Sequence, residues 1–201
     1  MIHQLWDRFR LGIKFLRYYF TAMNGKGHGM HSPFGFDFIV HVLDPKKYVD
    51  PGFQHIESIR KKLSQSNQVL EVQDLGAGSK TKAHALRSVG SIAHSAAKPA
   101  KYARLLYRII RHYKIDQVLE LGTSLGLTTR YLTLANPPSG VITIEGATAI
   151  ADFTRQQWQK EGVSKIDLRV GNFDDCLVPA LASMHGRKMI CLLYTSDAAD
   201  E

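Results

Sequence analysis

With only two cysteines in 201 residues, Cys176 and Cys191, and no C-x-x-C or metal-ligand spacing around them, a disulfide framework and a cysteine metal site are excluded. The compartment expected for such a chain is a reducing cytoplasm. Long apolar runs are missing as well, since nothing approaches the roughly 20 residues of a membrane-spanning helix. The N-terminus interrupts its apolar residues with Asp7, Arg8, Arg10, Lys14 and Arg17 and has no small-residue cleavage site, so no targeting segment is expected. Acid is the scarcer charge. Lys and Arg outnumber Asp and Glu by 26 to 18, for a net charge of +8 and a pI near 9.5. That balance suits an anionic partner such as nucleic acid, lipid headgroups or an acidic substrate, although solvated helix faces explain it more simply. The content of 44% hydrophobic and 22% charged residues argues against disorder and for one globular domain with a sizeable core.

Leu5, Phe9, Ile13, Leu16 and Phe20 recur at steps of three or four and predict an amphipathic helix over residues 4–21. The run Asn24-Gly25-Lys26-Gly27-His28-Gly29 ends it, because three glycines in six residues cost a helix interior too much backbone entropy. In Met30-His31-Ser32-Pro33-Phe34, either Ser32 or the later Asp37 can cap a helix through Ile39, Val40, Val42 and Leu43. His28 and His31 invite a metal reading, but with no third ligand none is expected.

Two glycine-rich loops compete for the role of ligand loop. The first, Asp74-Leu75-Gly76-Ala77-Gly78-Ser79, follows an apolar stretch, but from Lys82 to Lys114 the pattern reads as helical only, so no second strand is expected to complete a βαβ unit. The second has that context. Gln117–Leu121 reads as a buried strand, Gly122-Thr123-Ser124-Leu125-Gly126 as the loop, and Leu127–Leu134 as a helix. After the break at Asn136–Gly140 come the β-branched run Val141–Glu145, a helix around Ala149–Lys160 stopped by Gly162, and an alternating strand Ile166–Val170. This β-α-β-α-β order predicts an α/β fold with a Rossmann-like, doubly wound parallel sheet.

Ligands of such sheets bind beyond the carboxyl ends of the strands, which here carry Glu120, Glu145 and Gly171-Asn172. A dinucleotide normally presents its diphosphate to a G-x-G-x-x-G turn at a helix N-terminus. Counting from Gly122, Ser124 replaces the middle glycine, and Glu120 sets a negative charge beside the diphosphate position. A cofactor with a cationic methionine moiety reverses that sign. Glu145 then suits two ribose hydroxyls, and Asn172 an adenine amine.

The loop Leu119-Glu120-Leu121-Gly122-Thr123-Ser124-Leu125-Gly126 with Thr128 resembles the first motif of class I S-adenosylmethionine-dependent methyltransferases, in the form found in small-molecule O-methyltransferases. The resemblance spans about residues 98–190. With the H-S-P-F run at His31–Phe34 and the D-L-G-A-G-S loop at Asp74–Ser79, the chain is similar to a bacterial group of such enzymes. It implies S-adenosylmethionine as cofactor and a small-molecule methyl acceptor as partner. Glu120, Gly122, Thr123, Ser124 and Gly126 would form the cofactor loop, Glu145 would hold the ribose, and Asn172 and Phe173 would flank the adenine. No catalytic base is assigned among His28, His31, His84 and His94.

In the family the fourth strand leads to an acidic residue near the methyl donor. Here Cys191–Glu201 resembles translated sequencing-adaptor sequence, so these eleven residues are expected to be non-native, the sheet incomplete and the chain inactive in methyl transfer. The expected organisation is a helical N-terminal extension or substrate lid over 1–97, a partial cofactor domain over 98–190 and the tail at 191–201. Two other functions stay open. A nucleic-acid methyltransferase or binding module would use the helix Tyr102–Lys114, with Tyr102, Leu105, Leu106, Ile109, Ile110 and Tyr113 on its apolar face and Arg104, Arg108, Arg111 and Lys114 towards solvent. An NAD-dependent oxidoreductase is disfavoured by Glu120.

Overall fold

The computed structural model describes residues 10, 12–14, 17, 31–73, 84–96 and 98–192. The described residues of the expected first helix are helical. The glycine loop at 24–29 with His28, the Asp74–Ser79 loop and residues 193–201 lie outside the described residues. Two compact units divide between Lys47 and Tyr48.

In the first unit, Ser32 makes the cap. Its hydroxyl accepts a hydrogen bond from the Gly35 amide at 3.3 Å, and Pro33 occupies the first turn of α1, Pro33–Asp37. A π-helical turn, Phe38–Val42, continues it, and the Phe34 and Phe38 rings stack at 6.2 Å.

The second unit begins with α2, Gly52–Ser64, whose Phe53, Ile56, Ile59 and Leu63 form a buried stripe at helical spacing. Strands β1, Val69–Gln73, and β2, His84–Ser88, pair antiparallel. Strand β2 corrects the helical reading of residues 82–114 and of the whole 1–97 extension. The sequence His-Ala-Leu-Arg-Ser has little intrinsic β preference, and pairing with Val69–Gln73 overrides its local pattern. Because the pairing is antiparallel, β1 still opens no βαβ unit.

Helix α3, Val89–Ala96, leads to α4, Ala100–Tyr113. The buried residues of α4 are Ala103, Tyr107, Arg108 and Ile110, while Tyr102 is 50% exposed. The expected faces are thereby corrected. The stripe facing the core is 103, 107 and 110, so Tyr102 turns into water beside Lys101, and the stem of Arg108 is drawn inward. Arg104 lies with its guanidinium over the Phe53 ring, 5.2 Å from the centroid.

The main sheet then forms as β3 (Gln117–Leu121), α5 (Leu127–Leu134), β4 (Val141–Glu145), α6 (Thr148–Glu161), β5 (Ile166–Val170), α7 (Phe173–Ser183) and β6 (Lys188–Leu192). All pairings are parallel and the strand order is β5-β4-β3-β6. This is a Rossmann-like α/β sheet. Gly162 ends α6 in the left-handed conformation at φ 68°. Three strands were legible as such in the sequence, and β6 is the fourth. It takes in Cys191 and Leu192, the first two residues of the adaptor-like run, opposite Glu120 and Leu121.

Both faces of the central strands β3 and β4 are covered, which matches their apolar residues on both sides. Leu119, Ile142 and Ile144 pack with Ala180 of α7 and with Met184, which caps that helix. Val118, Val141 and Cys191 face the opposite core with Tyr107, Ile110, Tyr131, Ile150 and Phe153. After β5 the chain returns past β4 and β3 to place β6, so the direction of growth reverses between β3 and β6, where doubly wound sheets open their ligand crevice. No helix among the described residues is long and apolar enough to cross a membrane.

Candidate functional site

Glu120 stands one residue before the end of β3 and is fully buried. Its register partners are Thr143 on β4 and Cys191 on β6, so all three side chains share one face of the sheet. Oε2 accepts hydrogen bonds from Thr129 Oγ1 at 2.6 Å and Thr143 Oγ1 at 2.7 Å. Because the Thr143 proton is committed to Glu120, the Thr123 hydroxyl donates to Thr143, also at 2.7 Å. Oε1 is buried and has no hydrogen-bond partner among the described residues. Burial pushes the carboxyl up to about 7, against the lowering effect of the two threonine hydroxyls. The neighbouring Cys191 thiol is also pushed well up, by burial first and then by the Glu120 charge.

The loop after β3 turns in the left-handed region three times, at Gly122 (φ 95°), Ser124 (φ 49°) and Gly126 (φ 65°). Glu145, the last residue of β4, clasps it. One carboxylate oxygen accepts from the Ser124 amide at 2.7 Å and the other from the Ala147 amide at 3.0 Å. Burial raises the Glu145 carboxyl, and the amides of Ala147, Ser124 and Gly146 oppose that rise. Three more of the loop's amides turn inward: Gly122 and Thr123 donate to Ile144 O, and Gly126 to Thr123 O. At Gly126 the requirement for glycine comes from the protein itself. A Cβ there would clash with the Trp158 ring, 2.7 Å from its Cε2, and would lie 2.8 Å from Thr154 Cγ2.

Glu120, Gly122, Thr123, Ser124, Gly126 and Glu145 are therefore brought together at the carboxyl ends of β3 and β4. Asn172 and Phe173 lie at the next strand end, where Gly171 donates to Glu145 O at 3.0 Å. The Asn172 side chain is exposed and accepts a long 3.4 Å bond from the Asp174 amide as the cap of α7. Phe173 packs against the Leu119 and Ile142 cluster. Of the histidines, His84 falls in β2 and His94 is exposed on α3, while His31 belongs to the first unit.

Sequence reasoning missed the residues that support the loop: Thr129, Thr143, Arg130, Thr154, Trp158 and Glu161. Two of them left a signal. Arg130 is a charge in an otherwise buried helix, and Thr143 is the one hydroxyl in an apolar strand.

No family model and no curated protein matches this sequence. Among solved structures, the chain is similar to the O-methyltransferase TomG from Streptomyces achromogenes, involved in tomaymycin synthesis and in complex with SAM (24% identity over 49% of this chain and 46% of that one, TM-score 0.44). It is also similar to an O-methyltransferase from Bacillus cereus in complex with SAH (15% identity, 75% and 58% covered, TM-score 0.44). A third is the SAH-bound Podospora anserina methyltransferase PaMTH1 (11% identity, 71% and 50% covered, TM-score 0.45). The chain spans about half the length of these structures.

Proposed function

We propose that this chain binds S-adenosylmethionine at the Gly122–Gly126 loop and carries the cofactor domain of a methyltransferase directed to an oxygen of a small molecule, without itself completing methyl transfer. The observation that carries the cofactor assignment is the pair of carboxylates flanking the loop, of which Glu120 keeps a buried, unpartnered oxygen. An orphaned anionic acceptor at the end of β3 fits a cationic ligand group and repels a diphosphate. The loop fits the same choice, because the amides of Gly122, Thr123, Ser124 and Gly126 are bonded inside the protein and are not free to receive phosphate oxygens. An NAD-dependent oxidoreductase is correspondingly disfavoured.

When bound, S-adenosylmethionine supplies a methyl group on a positively charged sulfur. Glu120 would hold the cationic methionine end, and Glu145, with one amide bond per oxygen, retains lone pairs for the two ribose hydroxyls. Asn172 and Phe173 are assigned to the adenine side from the motif resemblance, and the same resemblance supports the small-molecule, oxygen-directed acceptor. The basic face required by a nucleic-acid partner is diminished, since Arg108 is buried and Arg104 lies over Phe53.

Calorimetry with S-adenosylmethionine and, separately, NADH tests the assignment. The first should bind and the second should not. Glu145→Ala should weaken the first by about 100-fold, the loss of two charge-assisted hydrogen bonds at about 1.5 kcal/mol each. Unchanged binding by that variant would place the ligand elsewhere.

A further inference from the structure

The Ser124–Gly126 turn is supported from behind by one face of α6. Thr154, Trp158 and Glu161 follow one another at steps of four and three, which makes them neighbours on that helix. Thr154 Oγ1 donates to Ser124 O at 2.8 Å, and the Trp158 ring occupies the space a side chain at position 126 would need. Glu161 acts on the loop only through Arg130. Its two oxygens accept from Arg130 Nε and Nη2, both at 2.8 Å, in a forked pair. The remaining nitrogen, Nη1, donates to Gly126 O at 2.9 Å and Leu125 O at 3.2 Å. The Arg130 backbone amide also donates to Gly126 O, at 3.2 Å, so one residue grips the same carbonyl with its main chain and its side chain. Arg130 is 4% exposed.

These contacts have a division of labour. Glu145 takes an amide of the turn, whereas Thr154 and Arg130 take three successive carbonyls, those of Ser124, Leu125 and Gly126. The N-cap of α5 is Gly126, which has no side chain of its own to fix the turn, and the guanidinium holds the carbonyls of Leu125 and Gly126 from outside it. A buried ion pair serving stability alone is replaceable by apolar residues of similar volume. One whose free edge fixes two loop carbonyls is not.

We propose that Arg130, held in its rotamer by Glu161, is a positioning residue that sets the Ser124–Gly126 turn in the shape that receives the cofactor. This rests on the S-adenosylmethionine reading above. The site therefore extends, through a guanidinium, to the last turn of α6.

The test uses the 201-residue chain with Arg130→Met, Glu161→Leu and the double variant, S-adenosylmethionine as probe, and deuterium exchange of the 122–126 peptide without ligand. Each single variant strands a buried partner and should lower the melting midpoint. The double variant should recover the midpoint, yet bind at least tenfold more weakly and exchange faster at 122–126. Glu161→Gln, which keeps an acceptor for Arg130, should stay within threefold of the parent. Recovery of midpoint and affinity together in the double variant overturns the proposal. If the parent chain binds no S-adenosylmethionine, the cofactor reading falls and exchange decides alone: an unchanged 122–126 peptide overturns the positioning role, and a faster one upholds it. If the double variant does not fold, Arg130→Lys is read by the same exchange and affinity criteria.

Discussion

Thr143 donates a 2.7 Å hydrogen bond to Glu120 from the position directly opposite it in the β3–β4 register. The donor sits in the strand pair itself, so the carboxylate is addressed by the sheet and not by a loop. Two hydroxyls meet at one oxygen and the other is left bare, which explains how burial outweighs hydrogen bonding and carries the group to about 7.

The sign of the pH dependence follows. Glu120 ionises at a higher pH in the folded chain than in the unfolded chain, so its contribution to stability is full below about 4.5 and declines as pH rises to about 7. The decline amounts to about 3 kcal/mol for a shift of this size. Glu145 is shifted in the same direction and adds to the slope. Denaturant melts between pH 4.5 and 7 should show stability falling with pH, and Glu120→Gln should flatten the slope in part. An identical slope in that variant would mean that Glu120 titrates normally. A cationic ligand favours the ionised form, so binding of S-adenosylmethionine near pH 6.5 should release protons, seen as a dependence of calorimetric heat on buffer ionisation enthalpy.

Gly126 and Gly162 form a natural control pair. Both are left-handed, at φ 65° and 68°, but a Cβ at Gly162 meets nothing within 4 Å whereas one at Gly126 meets Trp158 and Thr154. Gly162→Ala should cost about 1 to 2 kcal/mol, the conformational strain alone. Gly126→Ala should add roughly 1 to 3 kcal/mol of overpacking. Equal thermal shifts for the two variants would show that Trp158 yields at no cost.

Phe53 joins three helices. Its ring lies 4.9 Å from Tyr107 edge-on and 5.3 Å from Tyr131, and Tyr131 in turn donates to Glu57 at 2.6 Å. Phe53→Ala should cost about 3 to 5 kcal/mol by opening a cavity. Tyr131→Phe should cost only about 1 to 2 kcal/mol, since Glu57 keeps Arg60 as a partner. Urea titrations would separate the two, and the reverse ranking would refute this account of the helix junction.

The central sheet was legible because β3 and β4 are short, mostly apolar runs and β5 alternates apolar with charged residues, each followed at once by a glycine, as Val141–Glu145 is by Gly146. Strand β2 was not, because His84–Ser88 becomes a strand only by pairing with β1. The loop residues from Glu120 to Gly126 and Glu145 were legible from charge and glycine placement. Their supports were not, since nothing in the spacing of Arg130 and Glu161, or of Gly126 and Trp158, announces contact between separate helices and loops. Arg108 shows the complementary limit: a long side chain at the border of a stripe is assigned to water or core by a small rotation of the helix.

The strand order β5-β4-β3-β6 also fixes a sequence of events in time. Glu120 and Thr143 are 23 residues apart along the chain, whereas Glu120 and Cys191 are 71 apart, so the two flanks of β3 differ in how much chain must be closed before pairing. The β3-β4-β5 ladder can assemble from near neighbours, while β6 must wait for the entire α7 return to be laid down. Pulse-labelled exchange during refolding should accordingly protect the amides of β4 before those of β6, and simultaneous protection would show that the turnback forms as part of the nucleus.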